Sequence, residues 1–277
     1  MSARLEEYAG RTAIVTGAGS GIGAALARAL DAAGASVACA DLDEAAAKST
    51  AAGLSDRASA FGVDVTDAGG VQELVDAVVA DAGRLDLMFN NAGITFLGET
   101  EDLTLEQWNA IIDVNIRGVV HGVHAAYPVM IRQGWGHIVN TASAAGLMAA
   151  GLMTSYVTTK HAVVGLSLAL RTEAAGHGVG VTAICPAAVD TPILDKGEIG
   201  RFRGRDYYLK GQGVRRPVDP DHLARVALTA VAANRPLVVE PVQARAAWRL
   251  GRFSPGLMNR MATRFIDQQR AQAKPDR

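Results

Sequence analysis

Cysteine is close to absent: Cys39 and Cys185 are the two in 277 residues, each at the end of a β-like run. Both read as small buried apolar side chains, which argues against a disulfide framework or a thiolate metal set. Aromatic residues make up 5% of the chain, so alanine, glycine and valine must fill the core, a mix suited to helices lying close on a sheet. Charge of one sign is not in excess. Lysine and arginine total 27 against 28 acidic residues, and the net charge of −1 gives no reason to expect a nucleic-acid partner. No run of 18 uncharged apolar residues suggests a membrane span. The opening MSARLEEYAGR has no apolar stretch of a secretory signal. The expectation is an intracellular, cytoplasmic protein. No cluster of metal-ligating residues is visible.

What is present is an alternation. Short apolar runs suited to strands (Thr12–Gly17, Ser36–Asp41, Ala58–Val65, Leu85–Asn91, Gly136–Ser143, Val179–Pro186 and Pro236–Pro241) are separated by helical patterns. These lie at Gly21–Ala33, Asp43–Ala52, Ala68–Asp81, Leu105–Gln133, Ser155–Ala175 and Asp219–Ala233. Continuous apolar strands alternating with helices imply an α/β fold: a doubly wound, Rossmann-type parallel sheet of about seven strands, covered on both faces. The ligand crevice of such a sheet lies at the carboxyl ends of its strands. We expect one dinucleotide-binding and catalytic domain over residues 1–241, with a substrate lid near 192–217, and a basic amphipathic tail over 242–277.

The first strand runs into T-G-A-G-S-G-I-G, Thr16 to Gly23. Gly17, Gly21 and Gly23, with Ser20 and Ile22 between them, give a tight turn that opens a helix. Its free N–H groups and positive dipole end suit a pyrophosphate. The spacing G-x-x-x-G-x-G departs from the G-x-G-x-x-G of the dinucleotide fingerprint. Asp41 ends the second strand, where a carboxylate accepts hydrogen bonds from the adenosine ribose and repels a 2′-phosphate. Leu42 follows it and Ser20 precedes Gly21, so no arginine is placed for that phosphate, which favours NAD over NADP. Asp41 also suits a helix cap or turn. Asp64 and Val65, at the end of the third strand, are placed to bracket adenine, and Asp64 too suits a cap.

Twelve residues separate Ser143 from Tyr156, and Lys160 lies one helical turn beyond. Positions i and i+4 share a helix face. An ammonium beside a phenol favours the phenolate, and a tyrosine so tuned can exchange a proton with an alcohol or an alkoxide. Ser143 could bind the same oxygen. Taken alone, the Tyr–Lys pair fits equally a packed ring beside a solvated amine.

Together these motifs resemble the short-chain dehydrogenase/reductase family, in its soluble single-domain branch. The resemblance covers roughly residues 10–241. It rests on Thr16-Gly17-xxx-Gly21-x-Gly23, Asn90-Asn91-Ala92-Gly93, Asn115, Ser143 and Tyr156-xxx-Lys160, in the family's order. It implies that Tyr156 is the general acid/base and that Lys160 binds the nicotinamide ribose and lowers the tyrosine pKa. Ser143 would hold the substrate oxygen, and Asn115 would anchor a proton-relaying water. Asn91, Ala92 and Gly93 would line the adenosine side. Pro186, Val189 and Thr191 would lie by the nicotinamide. Where the family usually has Pro-Gly, this chain has Pro186-Ala187, which bears on nicotinamide placement and substrate fit. The family's oligomers imply a homodimer or homotetramer built through Leu105–Gln133 and Ser155–Ala175.

The function so implied is hydride transfer between NAD and a secondary alcohol or ketone. The rivals are a non-catalytic NAD sensor or scaffold, and an epimerase or dehydratase on the same fold. Thr95–Gly98, Gly146–Met148 and Gly151–Met153 are apolar and methionine-bearing, which suggests a bulky hydrophobic substrate or else packing beneath a loop. The lid carries Lys196, Arg201, Arg203, Arg205, Lys210, Arg215 and Arg216 with Phe202, Tyr207 and Tyr208 interleaved. A solvated loop is the preferred reading over a cover that greets an anionic substrate. In the tail, Leu257, Met258, Met261, Ala262, Phe265 and Ile266 share one half of a helical wheel opposite Asn259, Arg260, Thr263 and Arg264. Such a helix docks on its own fold or on a partner more readily than on an anionic membrane surface.

Overall fold

The computed structural model describes residues 6–200, 202, 204–211 and 216–272. Seven parallel strands form one sheet in the order β3-β2-β1-β4-β5-β6-β7. They are β1 (Thr12–Thr16), β2 (Ser36–Asp41), β3 (Ala58–Gly62), β4 (Leu87–Asn90), β5 (Gly136–Thr141), β6 (Val179–Pro186) and β7 (Leu237–Glu240). The chain begins in the middle, winds outward to β3, then crosses to β4 on the other side of β1. Strand order therefore reverses between β1 and β4, and a crevice opens there at the strands' carboxyl ends.

Successive strand residues face opposite layers, and the cores follow that period of two. Val15, Phe89 and Val139 point to one face, packed with Leu26 and Leu30 of α1 (Gly21–Ala32) and Leu223 and Leu228 of α8 (Pro220–Ala232). Ile14, Met88 and Ile138 point to the other, against Leu74 and Val75 of α3 (Ala68–Ala82) and Met130 of α5 (Gly118–Gln133). With both faces covered, every residue of β1, β4, β5 and β6 is buried, which is why these strands read as largely apolar runs without a polar face.

Helix ends follow their cap residues. Asp43 accepts from the Ala46 amide to start α2 (Glu44–Ala52). Thr104 and Gln107 form a reciprocal box at the start of α4 (Leu105–Ile112). Asp219 accepts from two amides ahead of Pro220 in α8.

Three sequence expectations change. Residues 63–65 leave the third strand: Asp64 folds back to accept from the Thr66 amide (2.9 Å) and hydroxyl (2.8 Å), a local turn that competes with the ladder. The helix over Leu105–Gln133 is interrupted by a π-helical turn, Asp113–Arg117, holding Asn115. The segment read as a solvated loop is not one where it is described. Pro192–Asp195 forms a 3-10 turn, α7 (Gly204–Gly211) follows, and Phe202, Tyr207 and Tyr208 are buried in one apolar cluster. Arg201, Arg203 and Arg215 lie outside the described residues. The tail forms α9 (Val242–Phe253) and α10 (Pro255–Gln272), and α10 docks on its own fold as its apolar face implied, with the Phe265 ring in tilted contact 5.4 Å from the Tyr207 ring. No helix among the described residues is long and apolar enough to cross a membrane.

Candidate active site

A cleft of about 1470 Å³ runs along the carboxyl ends of the strands. It begins at the glycine turn, passes Tyr156 and ends between α7 and the C-terminal helices α9 and α10.

The dinucleotide end is shaped by glycine. Gly17 (φ +66°) and Gly21 (φ +53°) adopt the left-handed conformation that side chains disfavour. A Cβ at Gly17 would lie 2.9 Å from Ala92 Cα, and one at Gly23 would collide with the Gly17 carbonyl. The Ser20 side chain makes no capping bond to α1, so this helix end keeps its amides for another acceptor. Gly17, Ser20, Gly21 and Ile22 line the cleft; Gly23 lies behind them as packing. Asp41 accepts from the Gly19 amide (2.8 Å) and the Asp43 amide (3.0 Å), and so braces the glycine turn from β2. The cap of α2 falls to Asp43 instead. Around Asp41 the cleft wall is Leu42, Val63, Asp64 and Val65, with no cation among these described residues. A cradle that added side chains would fill, beside an uncapped helix start, fits a pyrophosphate-bearing dinucleotide.

The strand ends are tied by a residue pair that motif reading alone did not assign. Thr16 Oγ1 accepts from the Asn91 (2.9 Å) and Ala92 (3.1 Å) amides. Asn91 Nδ2 donates back to the Thr16 carbonyl (3.0 Å), and its Oδ1 accepts from Thr141 (3.1 Å). Asn91 thus braces β1, β4 and β5 while it, Ala92 and Gly93 line the cleft.

Tyr156 and Lys160 stand one turn apart on α6 (Thr154–Ala174), with Lys160 Nζ 5.5 Å from the Tyr156 ring centre. Lys160 is buried and donates to the Thr141 carbonyl at 2.8 Å. Gly93 leaves room for it: a Cβ there would lie 3.4 Å from Nζ and 3.2 Å from Asn115 Oδ1. Asn115 is fully buried behind the cleft. It exchanges bonds with the Ile94 amide and carbonyl (both 2.9 Å) and donates to Thr159 Oγ1 (3.1 Å). The π turn is what carries Asn115 inward to that loop. Ser143, two residues past β5, accepts from the Ala145 amide at 3.1 Å.

The electrostatics differ from the sequence expectation of a lowered tyrosine. Burial pushes the Tyr156 phenol up to about 12, with the Ser143 hydroxyl pulling it down less strongly. Burial likewise lowers Lys160 to about 8. In both groups burial, which disfavours the charged form, is the largest cause of the shift. Ala187 lines the cleft without a left-handed φ, so its Cβ adds no backbone strain; its amide donates to the Glu240 carbonyl at 2.7 Å. Pro186, Val189 and Thr191 line the same stretch.

Comparison with known proteins bears on this geometry. The model of the family described as short chain dehydrogenase matches residues 11–199. The chain belongs to that family. The short-chain dehydrogenase is 36% identical over 231 residues to a D-beta-hydroxybutyrate dehydrogenase of Cupriavidus necator, covering 79% of this chain and 90% of that one. It is 40% identical over 190 residues to a D-threitol dehydrogenase of Mycolicibacterium smegmatis, covering 68% and 73%. Among solved structures it superposes on a short chain dehydrogenase/reductase from Burkholderia phymatum in complex with NAD. That match has a TM-score of 0.82 at 32% identity, and covers 91% of this chain and 96% of that one.

The other end of the cleft is built by residues that the sequence reading placed in a solvated loop and in the tail, together with Trp248. Tyr208 shares a 3.0 Å hydrogen bond with Thr95, and the Tyr207 hydroxyl donates to the Gly151 carbonyl. Trp248, Phe265 and Ile266 line the cleft from beyond the family match. The amphipathic period of the tail was a signal for α10, but nothing local said which surface it would cover.

Proposed function

We propose that this short-chain dehydrogenase is an NAD-dependent oxidoreductase that interconverts a secondary alcohol and its ketone, on a hydrophobic substrate. The observation that carries the reading is one cleft joining the glycine turn to Tyr156, Lys160 and Ser143.

Gly17, Ser20, Gly21 and Ile22 would receive the pyrophosphate, with Gly23 keeping the turn closed. Asp41 would hold the adenosine ribose, with Leu42, Asp64 and Val65 around adenine and Asn91, Ala92 and Gly93 along the inner wall. Lys160 would hold the nicotinamide ribose, and Pro186, Val189 and Thr191 the carboxamide. When bound, the nicotinamide supplies or accepts the hydride. The chain itself handles the proton and the substrate oxygen. A phenol held near 12 is protonated at neutral pH, so Tyr156 is set to give its proton to a ketone oxygen. In the oxidative direction the Lys160 ammonium stabilises the phenolate that takes the alcohol proton. Ser143 orients the same oxygen. Asn115, bound to Ile94 and Thr159, keeps the π turn and α6 in register behind Lys160.

The carboxylate expected beside the ribose, with no cation among the described residues that line the cleft around it, supports NAD over NADP. The apolar lining at Leu147, Met148 and Met153 supports a hydrophobic substrate. Exposed Leu105, Val120 and Leu168 on α4, α5 and α6 support a homodimer or homotetramer through those helices.

The test is to measure NADH and NADPH binding, then absorbance at the NADH band with NAD and a panel of apolar secondary alcohols. Tighter NADH binding with a stoichiometric rise in absorbance is expected. NADH binding without turnover across the panel, and unchanged cellular function of Tyr156→Phe, would replace this reading with that of an NAD sensor.

A further inference from the structure

The far wall of the cleft is built by α10, beyond the residues that match the family. Met258, Met261, Ala262, Phe265 and Ile266 recur every three or four positions and line the cleft from one helix face. Phe265 and Ile266 belong to the same apolar cluster as Tyr156, Tyr207 and Leu152. Close approach is built in at Gly151, where a Cβ would lie 2.7 Å from Ile266 Cγ1.

A bidentate ion pair ties the end of this helix to the segment that follows Gly98. Arg270 donates through Nε (2.8 Å) and Nη2 (2.9 Å) to the two carboxylate oxygens of Glu99. Glu99 itself follows a knitted segment: Leu97 bonds Gly197 and Gly98 bonds Leu152, each at 2.8 Å. Among its described residues α10 has none that is fully buried. It is therefore a cover held at few points rather than part of the core, and such an element opens at low cost.

We infer that α10 is the substrate-selecting wall of this enzyme: its apolar face requires an extended or bulky apolar body beyond the reacting carbon, and the Glu99–Arg270 pair positions it. The inference rests on the oxidoreductase reading and specifies its substrate end.

The test uses the full chain saturated with NADH, titrated calorimetrically with 2-dodecanone and 2-butanone, with turnover of both followed in parallel. Tight binding of 2-dodecanone is expected, weakened about tenfold or more by Ile266→Ala, since each lost methylene contact matters in an apolar pocket. Arg270→Gln should weaken it about threefold, the scale of a half-exposed pair. The swap Glu99→Arg with Arg270→Glu should restore it, with NADH binding unchanged throughout. No binding of 2-dodecanone, or equal binding in every variant, would overturn the inference, and turnover of 2-butanone would then leave the redox reading standing. Variant-sensitive binding with no turnover of either ketone would uphold the wall and count against the redox reading.

Discussion

Lys160 Nζ donates to the Thr141 carbonyl at 2.8 Å and lies 5.5 Å from the ring centre of Tyr156, joining the end of β5 to the first turns of α6. The ammonium is thus held by backbone at a fixed distance from the phenol. Both groups are low in the cleft, and burial moves their pKa values toward the neutral forms.

Removing the phenolic hydroxyl isolates the proton step. Tyr156→Phe keeps the ring and its packing, so NADH binding should remain near that of the wild type. Turnover should fall by about a hundredfold to ten-thousandfold, the range of general acid–base catalysis. Steady-state rates beside NADH fluorescence titration check both halves.

Burying a lysine has a signature in pH. Lys160 is lowered from 10.5 to about 8, so between those values the unfolded chain binds more protons than the folded one. Stability conferred at this site therefore rises as pH climbs through that window, by about 3 kcal/mol in full. Below about pH 8 the cost of the buried charge is complete. The stability difference between wild type and Lys160→Met, from denaturant unfolding between pH 7 and 10, should move in favour of the wild type. A difference independent of pH would contradict it.

Two glycines separate conformational strain from lost space. Gly17 and Gly83 both have positive φ, at +66° and +71°. A Cβ at Gly17 meets the Ala92 backbone, whereas one at Gly83 meets nothing within 4 Å. Each alanine substitution should cost about 1–3 kcal/mol of stability. Only Gly17→Ala should also weaken NADH, as calorimetry on the two folded variants would reveal.

Asp41 should govern the choice of dinucleotide. Asp41→Ser removes a carboxylate facing the expected 2′ position, and the ratio of NADPH to NADH affinity should rise about tenfold or more, a modest Coulomb term at short range. Loss of the bond to the Gly19 amide should weaken both dinucleotides together. A fall of both without a change in ratio would reduce Asp41 to a brace of the turn.

The amino-acid sequence by itself determined the strands, most helix ends, the glycine turn and the pairing of Tyr156 with Lys160 on one helix face. Each of these depends on neighbours within a few residues: a period of two, a period of 3.6, a cap, a left-handed φ. It also held the apolar period of α10. Only the tertiary structure decided what lies far apart in the chain. The rise of Tyr156 and fall of Lys160 come from desolvation by elements packed around them, against the drop that their local pairing implied. Tyr207 and Tyr208 turn inward because Gly151, Thr95 and Phe265 offer them partners. The Glu99–Arg270 pair joins residues 171 positions apart. Local pattern states which face of a helix is apolar, but the surface that covers it is settled by the packing of the whole fold.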